Sequence, residues 1–278
     1  MTKKAAVISD LSSFGRCSLA VFLPILAVMG IQACPFPTAV LSAQSEFPVF
    51  FKKDLTDIMP GFRAAWAANN ESFDGICTGY FSSGRQIDEA LAVIHAFKKE
   101  ESVVLVDPVM GDSGSLYPGY ESEAREKMML LTDAATVITP NLTELCILTG
   151  ADYGELTSHE GEADYAERIA SLASPLSEKR GVVITGINSG EKILNLAVYR
   201  DRCTVIGAKR VGGSFSGTGD IFSSVVFGCL LNGKDLIKAA QTAADFVELS
   251  VSGTVNEPHD PLYGVNFEKY LKKLSEVM

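Results

Sequence analysis

The chain has 278 residues, 47% of them hydrophobic, enough for the core of one large α/β domain or of two modest ones. Its formal net charge of -10 argues against general nucleic-acid binding, because neutralising phosphates needs clustered Lys and Arg. A phosphorylated ligand is not excluded, since that needs only a local electropositive pocket.

The first residues, Met1-Thr2-Lys3-Lys4, lead directly into Ala5-Ala6-Val7-Ile8-Ser9-Asp10, which reads as a strand and not as a secretion signal. Further strands are expected at residues 37–42, 74–79, 103–109, 136–139, 181–186, 194–199 and 204–208. Helices are expected at 17–29, 54–69, 84–100, 121–131, 143–149, 161–171, 220–231, 234–250 and 266–277. The apolar stretch 19–29 is too short to span a bilayer and contains Pro24. The six cysteines (17, 34, 77, 146, 203 and 229) are scattered with no C-x-x-C spacing, which suits a reducing cytoplasm.

Val103-Val104-Leu105-Val106 and Gly181-Val182-Val183-Ile184 are apolar without interruption, as strands buried on both faces are. The strand–helix alternation predicts an α/β fold with a mostly parallel central sheet and helices on both faces. The two strands near 194 and 204, with no helix between them, predict an antiparallel addition. No repeat, low-complexity tract or linker divides the chain, so a single domain over 1–278 is expected. Ligands of such sheets bind outside the carboxyl ends of the strands, and polar or glycine-rich segments follow the strands there.

Ser216-Gly217-Thr218-Gly219-Asp220 precedes an apolar run that reads as a buried helix. Glycines let the backbone approach a ligand, and the unpaired amides of a first helical turn form an anion site with the helix dipole. Asp220 at its mouth can accept a proton from an attacking hydroxyl. Taken alone, the segment is equally a plain Asp helix cap. Asn141-Leu142-Thr143-Glu144 places two polar groups three apart at a helix start, where Glu144 can hold Mg²⁺ or simply complete a capping box. Asp107 ends a buried strand and is followed by Pro108-Val109-Met110-Gly111-Asp112-Ser113-Gly114-Ser115-Leu116-Tyr117, a segment able to act as a water-excluding flap or as a solvated turn. Thr185-Gly186 places a hydroxyl after another apolar strand. His95 and His159 have no triad partner by spacing, and His259, between Pro258 and Asp260, reads as a surface turn. There is no G-x-S-x-G elbow, no P-loop, and no G-x-G-x-x-G after the first strand.

In this order the motifs Asp107-Pro108-Val109-Met110-Gly111-Asp112, Thr139-Pro140-Asn141-Leu142-Thr143-Glu144 and Gly217-Thr218-Gly219-Asp220 resemble the ribokinase-like superfamily. With Gly114-Ser115-Leu116-Tyr117 and Thr78-Gly79-Tyr80 they resemble its pyridoxal (vitamin B6) kinases in particular. The resemblance implies a ribokinase-like three-layer sandwich without a separate lid domain. It also implies ATP-dependent phosphorylation of the 5′-hydroxymethyl group of pyridoxal, pyridoxine or pyridoxamine. Asp220 would be the general base, and the amides of Gly217, Thr218 and Gly219 the anion hole. Asp107, Asp112, Thr139, Asn141, Glu144 and Thr185 would organise ATP and Mg²⁺, with Asp107 and Glu144 on the metal side and Phe215 beside the adenine. Met110 to Tyr117 would form the flap, a monovalent cation such as K⁺ would assist, and the protein would be a homodimer. Asp10, Gln44, Glu46 and Tyr80 are the candidates for contact with the substrate ring. Here the match thins: Ser9-Asp10-Leu11-Ser12-Ser13 departs from the Ser-His segment of well-known pyridoxal kinases, and Asp10 rather resembles hydroxymethylpyrimidine kinases. A hydroxymethylpyrimidine kinase is therefore the rival within the fold, and an idle vitamer- or nucleotide-binding protein the rival from another class.

Overall fold

The computed structural model describes residues 2–117, 120, 122–200 and 202–276. Along the chain the strands are β1 (Lys4–Ser12), β2 (Gln32–Leu41), β3 (Lys52–Asp54), β4 (Phe73–Thr78), β5 (Lys98–Val106), β6 (Gly111–Asp112), β7 (Ser115–Leu116), β8 (Val137–Ile138), β9 (Gly181–Ser189), β10 (Lys192–Tyr199) and β11 (Arg202–Lys209). Nine of them form one sheet in the order β11-β10-β9-β8-β5-β4-β1-β2-β3, while β6 and β7 pair separately as a hairpin. From β9 to β2 the pairing is parallel throughout. The edges are antiparallel: β10 and β11 on one side, as expected, and β3 on the other, which no pattern in the short Lys52-Lys53-Asp54 segment announces.

The helices are α1 (Leu19–Val28), α2 (Met59–Ala68), α3 (Gly84–Phe97), α4 (Ser122–Asp133), α5 (Leu142–Thr149), α6 (Tyr153–Thr157), α7 (Tyr165–Ser177), α8 (Thr218–Leu231), α9 (Leu236–Val255) and α10 (Leu271–Glu276). Alternate residues of the central strands face opposite layers. Ala5, Val7, Cys77 and Leu105 pack with Phe22, Ile221, Val225 and Phe227 of α1 and α8. Ala6, Ile8, Ile76 and Val104 pack with Ile87, Ile94, Met128 and Ile169 of α3, α4 and α7. The result is a three-layer α/β sandwich. None of its described helices is long and apolar enough to cross a membrane.

Several boundaries move for local reasons. The helix expected over 84–100 stops at Phe97, because Lys98 is already extended and the Lys99 amide donates to Ser102 Oγ at 2.7 Å, turning the charged residues 98–101 into the start of β5. The segment 54–69 divides into β3, a 3₁₀ turn at Thr56–Ile58 and α2. The helix expected over 161–171 shifts to α7, whose buried face continues through Ala173 and Ser177 past Pro175. β9 does not end at Gly186: that residue takes φ +70°, its amide donates to Asn195 Oδ1 at 3.2 Å, and pairing with β10 carries the strand on to Ser189. Residues 121 and 277, at the ends of two expected helices, lie outside the described residues.

Candidate active site

The carboxyl ends of β1, β4, β5 and β8, with Thr185 partway along β9, lie toward the amino-terminal ends of α5 and α8. Here α8 begins unusually. Its cap is Gly217, at φ 79° and ψ 2°, with no capping side chain. The first intrahelical bond runs from the Ile221 amide to the Gly217 carbonyl at 3.0 Å, so the amides of Thr218, Gly219 and Asp220 lie ahead of the helical ladder. Thr218 Oγ1 turns back to the Phe215 carbonyl at 3.2 Å instead of capping them. A helix start of this kind attracts anions through its oriented amides and its dipole. The body of the helix is locked: Ile221, Val225, Val226 and Phe227 have no solvent exposure, and burying each such side chain contributes about 1.5–3 kcal/mol.

Asp220 lies half-buried in the first turn of α8. Burial pushes its carboxyl up to about 7, the Ser18 amide pulls it down, and the nearby Asp10 charge raises it further. Asp10, buried at the end of β1, accepts hydrogen bonds from Ser18 Oγ at 2.6 Å and Ser12 Oγ at 3.1 Å. Its carboxyl is also raised by burial, against the pull of those hydroxyls and of the Lys52 charge. Residues 10 and 220, distant in sequence, therefore share one electrostatic environment around the start of α1.

Asp107 sits at the end of β5 beneath this rim. Its Oδ2 accepts from Ser223 Oγ at 2.9 Å, and Ser223 Oγ lies 3.0 Å from Thr139 Oγ1. Ser223 is one helical turn beyond Asp220, so α8 is tied by one hydroxyl to the ends of both β5 and β8. Burial, then the Asp220 charge, pushes the Asp107 carboxyl up to about 8, with the Ser223 and Thr139 hydroxyls opposing. Glu144 closes a capping box with Asn141: the Asn141 amide donates to Glu144 Oε2, and the Glu144 amide to Asn141 Oδ1, both at 2.9 Å. Glu144 Oε1 also accepts from the Met110 amide at 3.1 Å. Burial and the Asp107 charge push Glu144 well above the usual carboxylate range despite these amides. The capping-box and metal-side readings of Glu144 thus meet in one side chain. Both of its oxygens already accept an amide, which leaves only their second lone pairs for a water or a cation.

Acids buried this deeply beside one another are relieved by a cation, and an all-oxygen set of carboxylates and hydroxyls suits a hard divalent ion such as Mg²⁺. Among the described residues no three or more His, Cys, Asp or Glu side chains gather into a group that could hold a metal ion.

The segment after Asp107 forms the β6–β7 hairpin. Met110 has no solvent exposure: it is the buried root of the segment and not part of its cover. Asp112 and Tyr117 are on the exposed side. The Gly111 carbonyl accepts from Asn141 Nδ2 at 2.8 Å. Thr185 lies beside Asn141 in an isolated parallel bridge, its amide donating to the Pro140 carbonyl at 3.0 Å. Phe215 is half-buried, its ring 6.2 Å from that of His259.

On the other flank, Gln44 is buried and donates to Glu46 Oε2 at 3.2 Å and to the Leu262 carbonyl at 3.3 Å. Glu46 is exposed. Tyr80, at the exit of β4, has the Lys52 ammonium 5.2 Å from its ring centroid. Ser18, Lys52 and Ser223 were not singled out from the sequence. The spacing of Ser223 three residues after Asp220, on one helix face, is the signal that could have found it. Nothing local marks the other two, whose places depend on tertiary pairing.

The chain is similar in sequence and in fold to known proteins. Residues 66–262 match the family model described as phosphomethylpyrimidine kinase. That span holds Asp107, Asn141, Glu144 and Asp220 but not Asp10, Gln44 or Glu46. A crystal structure from Bacteroides thetaiotaomicron, described as a candidate phosphomethylpyrimidine kinase and solved with pyridoxal, superposes with a TM-score of 0.91 at 37% identity, covering 99% of this chain and 96% of that one. The pyridoxal kinase of Lactobacillus plantarum superposes with a TM-score of 0.89 at 28% identity, covering 100% and 98%. The pyridoxal kinase of Arabidopsis thaliana is 28% identical over 249 residues, 84% of this chain and 76% of its own. The chain belongs to the phosphomethylpyrimidine kinase family and, within the ribokinase-like fold, stands with the pyridoxal kinases.

Proposed function

We propose that the chain transfers the γ-phosphoryl group of ATP to the 5′-hydroxymethyl oxygen of pyridoxal, pyridoxine or pyridoxamine. The observation that carries this reading is the uncapped first turn of α8 with Asp220 beside it. Phosphoryl transfer asks a protein chiefly for positioning and charge stabilisation, and that turn supplies both a base and aligned donors. Asp220 takes the hydroxyl proton as the oxygen attacks the γ-phosphorus, while the bond to the β–γ bridging oxygen breaks and ADP leaves. The amides of Gly217, Thr218 and Gly219 face the charge on the transferring group.

Asp107 and Glu144 would hold Mg²⁺, Glu144 through water, and the ion would neutralise phosphate charge. Asp112, Thr139, Asn141 and Thr185 line the phosphate side, where a monovalent cation such as K⁺ would also be accommodated. Phe215 borders the adenine, and Asp10, Gln44, Glu46 and Tyr80 face the vitamer ring. We further take the chain to act as one kinase domain over 1–278 without a separate lid, as a homodimer, in the cytoplasm.

A second reading, hydroxymethylpyrimidine kinase, is favoured by the description of the matched family and by the carboxylate of Asp10 at the ring pocket. A substrate panel separates the two. Purified protein with Mg²⁺ and ATP is expected to form pyridoxal 5′-phosphate from pyridoxal; turnover of hydroxymethylpyrimidine alone would overturn the substrate while leaving the kinase.

The pH profile tests the base. A carboxyl held near 7 is protonated, and idle as a base, below that value. Accordingly kcat/KM is expected to rise about tenfold per pH unit below pH 7 and to level off above it, since this ratio reports the free enzyme's essential groups. A profile that is flat between pH 5 and 7, or that falls with rising pH, would assign the proton transfer elsewhere.

A further inference from the structure

We propose that Tyr153 is a positioning residue for phosphoryl transfer, clamping the turn of the β6–β7 hairpin and so holding the cover over the phosphate side of the site. The hairpin is docked on α5 and α6 at two levels. At its root the Met110 amide donates to Glu144, and Asn141 Nδ2 to the Gly111 carbonyl. At its tip, Ser113 and Gly114 turn at φ 50° and 79°, and the Gly114 amide donates to Thr143 Oγ1 at 2.9 Å. The Tyr153 ring lies flush against this turn: a Cβ on Gly114 would sit 2.6 Å from Tyr153 Cδ1 and 3.0 Å from Cε1.

The ring is delivered there by a short, firmly ended element. Gly150 takes φ 75° after α5, the Ala151 amide donates to the Cys146 carbonyl at 3.0 Å, and Asp152 caps α6 through the Glu155 amide at 2.7 Å. Tyr153 is therefore the first residue of α6, with little freedom of its own. Asp112, Ser113, Ser115, Leu116 and Tyr117 are exposed, so among the described residues the hairpin is braced from the α5–α6 side. A cleft of about 400 Å³ lined by Gly114, Arg125, Thr143, Cys146 and Tyr153 adjoins the turn, so the packing beside it is incomplete.

The consequence for the reaction, which rests on the kinase reading above, is exclusion of water. When the hairpin lifts, water replaces the vitamer hydroxyl as nucleophile. Its oxygen bonds to the γ-phosphorus, the bond to the bridging oxygen breaks, ADP and inorganic phosphate leave, and the water proton passes to solvent. The described residues give the Tyr153 hydroxyl no hydrogen-bond partner, so the clamp acts through the ring carbons Cδ1 and Cε1 that meet the turn.

The test compares Tyr153→Ala with Tyr153→Phe in the full chain by two readouts: amide hydrogen exchange over residues 111–116, and ADP formed per phosphorylated vitamer. Tyr153→Ala is expected to speed exchange at the hairpin about tenfold, as a local opening does, and to raise ADP above one per product, whereas Tyr153→Phe matches wild type on both. Wild-type protection in Tyr153→Ala, or equal loss in Tyr153→Phe, overturns the clamp. If the wild type phosphorylates no vitamer, the kinase reading fails and exchange alone decides the clamp. Should Tyr153→Ala not fold, Thr143→Val against Thr143→Ser applies the same test, because only serine keeps an acceptor for the Gly114 amide. Equal exchange in those two variants counts against the docking.

Discussion

Replacing Asp220 with alanine is expected to lower phosphoryl transfer by about two to four orders of magnitude, the contribution of a positioned general base, while ATP binding is retained. The separation follows from where the carboxylate sits. The first-turn amides of α8 belong to the backbone and survive the substitution, as does the packing of Ile221, Val225 and Phe227 that holds them. The fold is also expected to tolerate it. Because the Asp220 carboxyl is held up near 7, the folded protein favours its protonated form, and the stability this contributes below the ordinary carboxylate range is lost as pH rises through about 7. A variant without the carboxyl is spared that loss. Asp220→Asn keeps the shape and the Ser18 neighbourhood but cannot take a proton, so it should match the alanine in rate. Wild-type turnover in either variant would remove Asp220 from the role of base. Nucleotide and vitamer binding without turnover in the wild type would favour the idle binding protein instead. Steady-state kinetics and calorimetric titration of ATP on the same preparations read both quantities.

The parts of this architecture that were legible before folding are those whose physics is local. Continuous apolar runs such as 103–106 and 181–184 carry their burial in their composition, and they become the central strands β5 and β9. Glycine at a positive-φ cap followed by an apolar helix is equally local, and it places Gly217 at the start of α8. What stayed hidden depends on distant pairing. Lys52 joins β3 only because β2 presents an open edge, and Ser18 reaches Asp10 because α1 packs across the end of β1. The division of roles at Glu144 could not be read either, since capping box and buried acid beside Asp107 are one side chain seen from two elements. The residues proposed for the vitamer ring are the least legible. Asp10, Gln44 and Glu46 lie in the part of the chain that the family match does not span, and Gln44 reaches the Leu262 carbonyl from the far end of the sequence.

Gly217→Ala should be the most damaging single-methyl change at the site, lowering kcat by about two to three orders of magnitude, the scale of losing an oxyanion-type donor set. Two costs coincide there. At φ 79° a Cβ meets the following carbonyl, which costs an L-residue roughly 1–2 kcal/mol. That Cβ would also drive into the Arg16 carbonyl oxygen and lie 3.4 Å from Cys17 Cα. The backbone must give way on one side or the other. If α8 shifts, the amides of Thr218 and Gly219 lose their aim. If residues 16–18 shift, the Ser18 amide leaves Asp220, and the 2.6 Å hydrogen bond from Ser18 to Asp10 is strained with it. Gly233, just past the other end of the same helix, provides the control. It has φ 82° but nothing within 4 Å of where its Cβ would be. Gly233→Ala should therefore lose only the thermal stability that backbone strain costs, less than Gly217→Ala, and keep wild-type kinetics, because only the intrinsic penalty applies far from the site. Thermal melts and steady-state kinetics on the two variants separate strain from function. A Gly217→Ala protein that loses stability like Gly233→Ala yet turns over normally would show that the aligned amides of this turn are not what stabilises the transferring phosphoryl group.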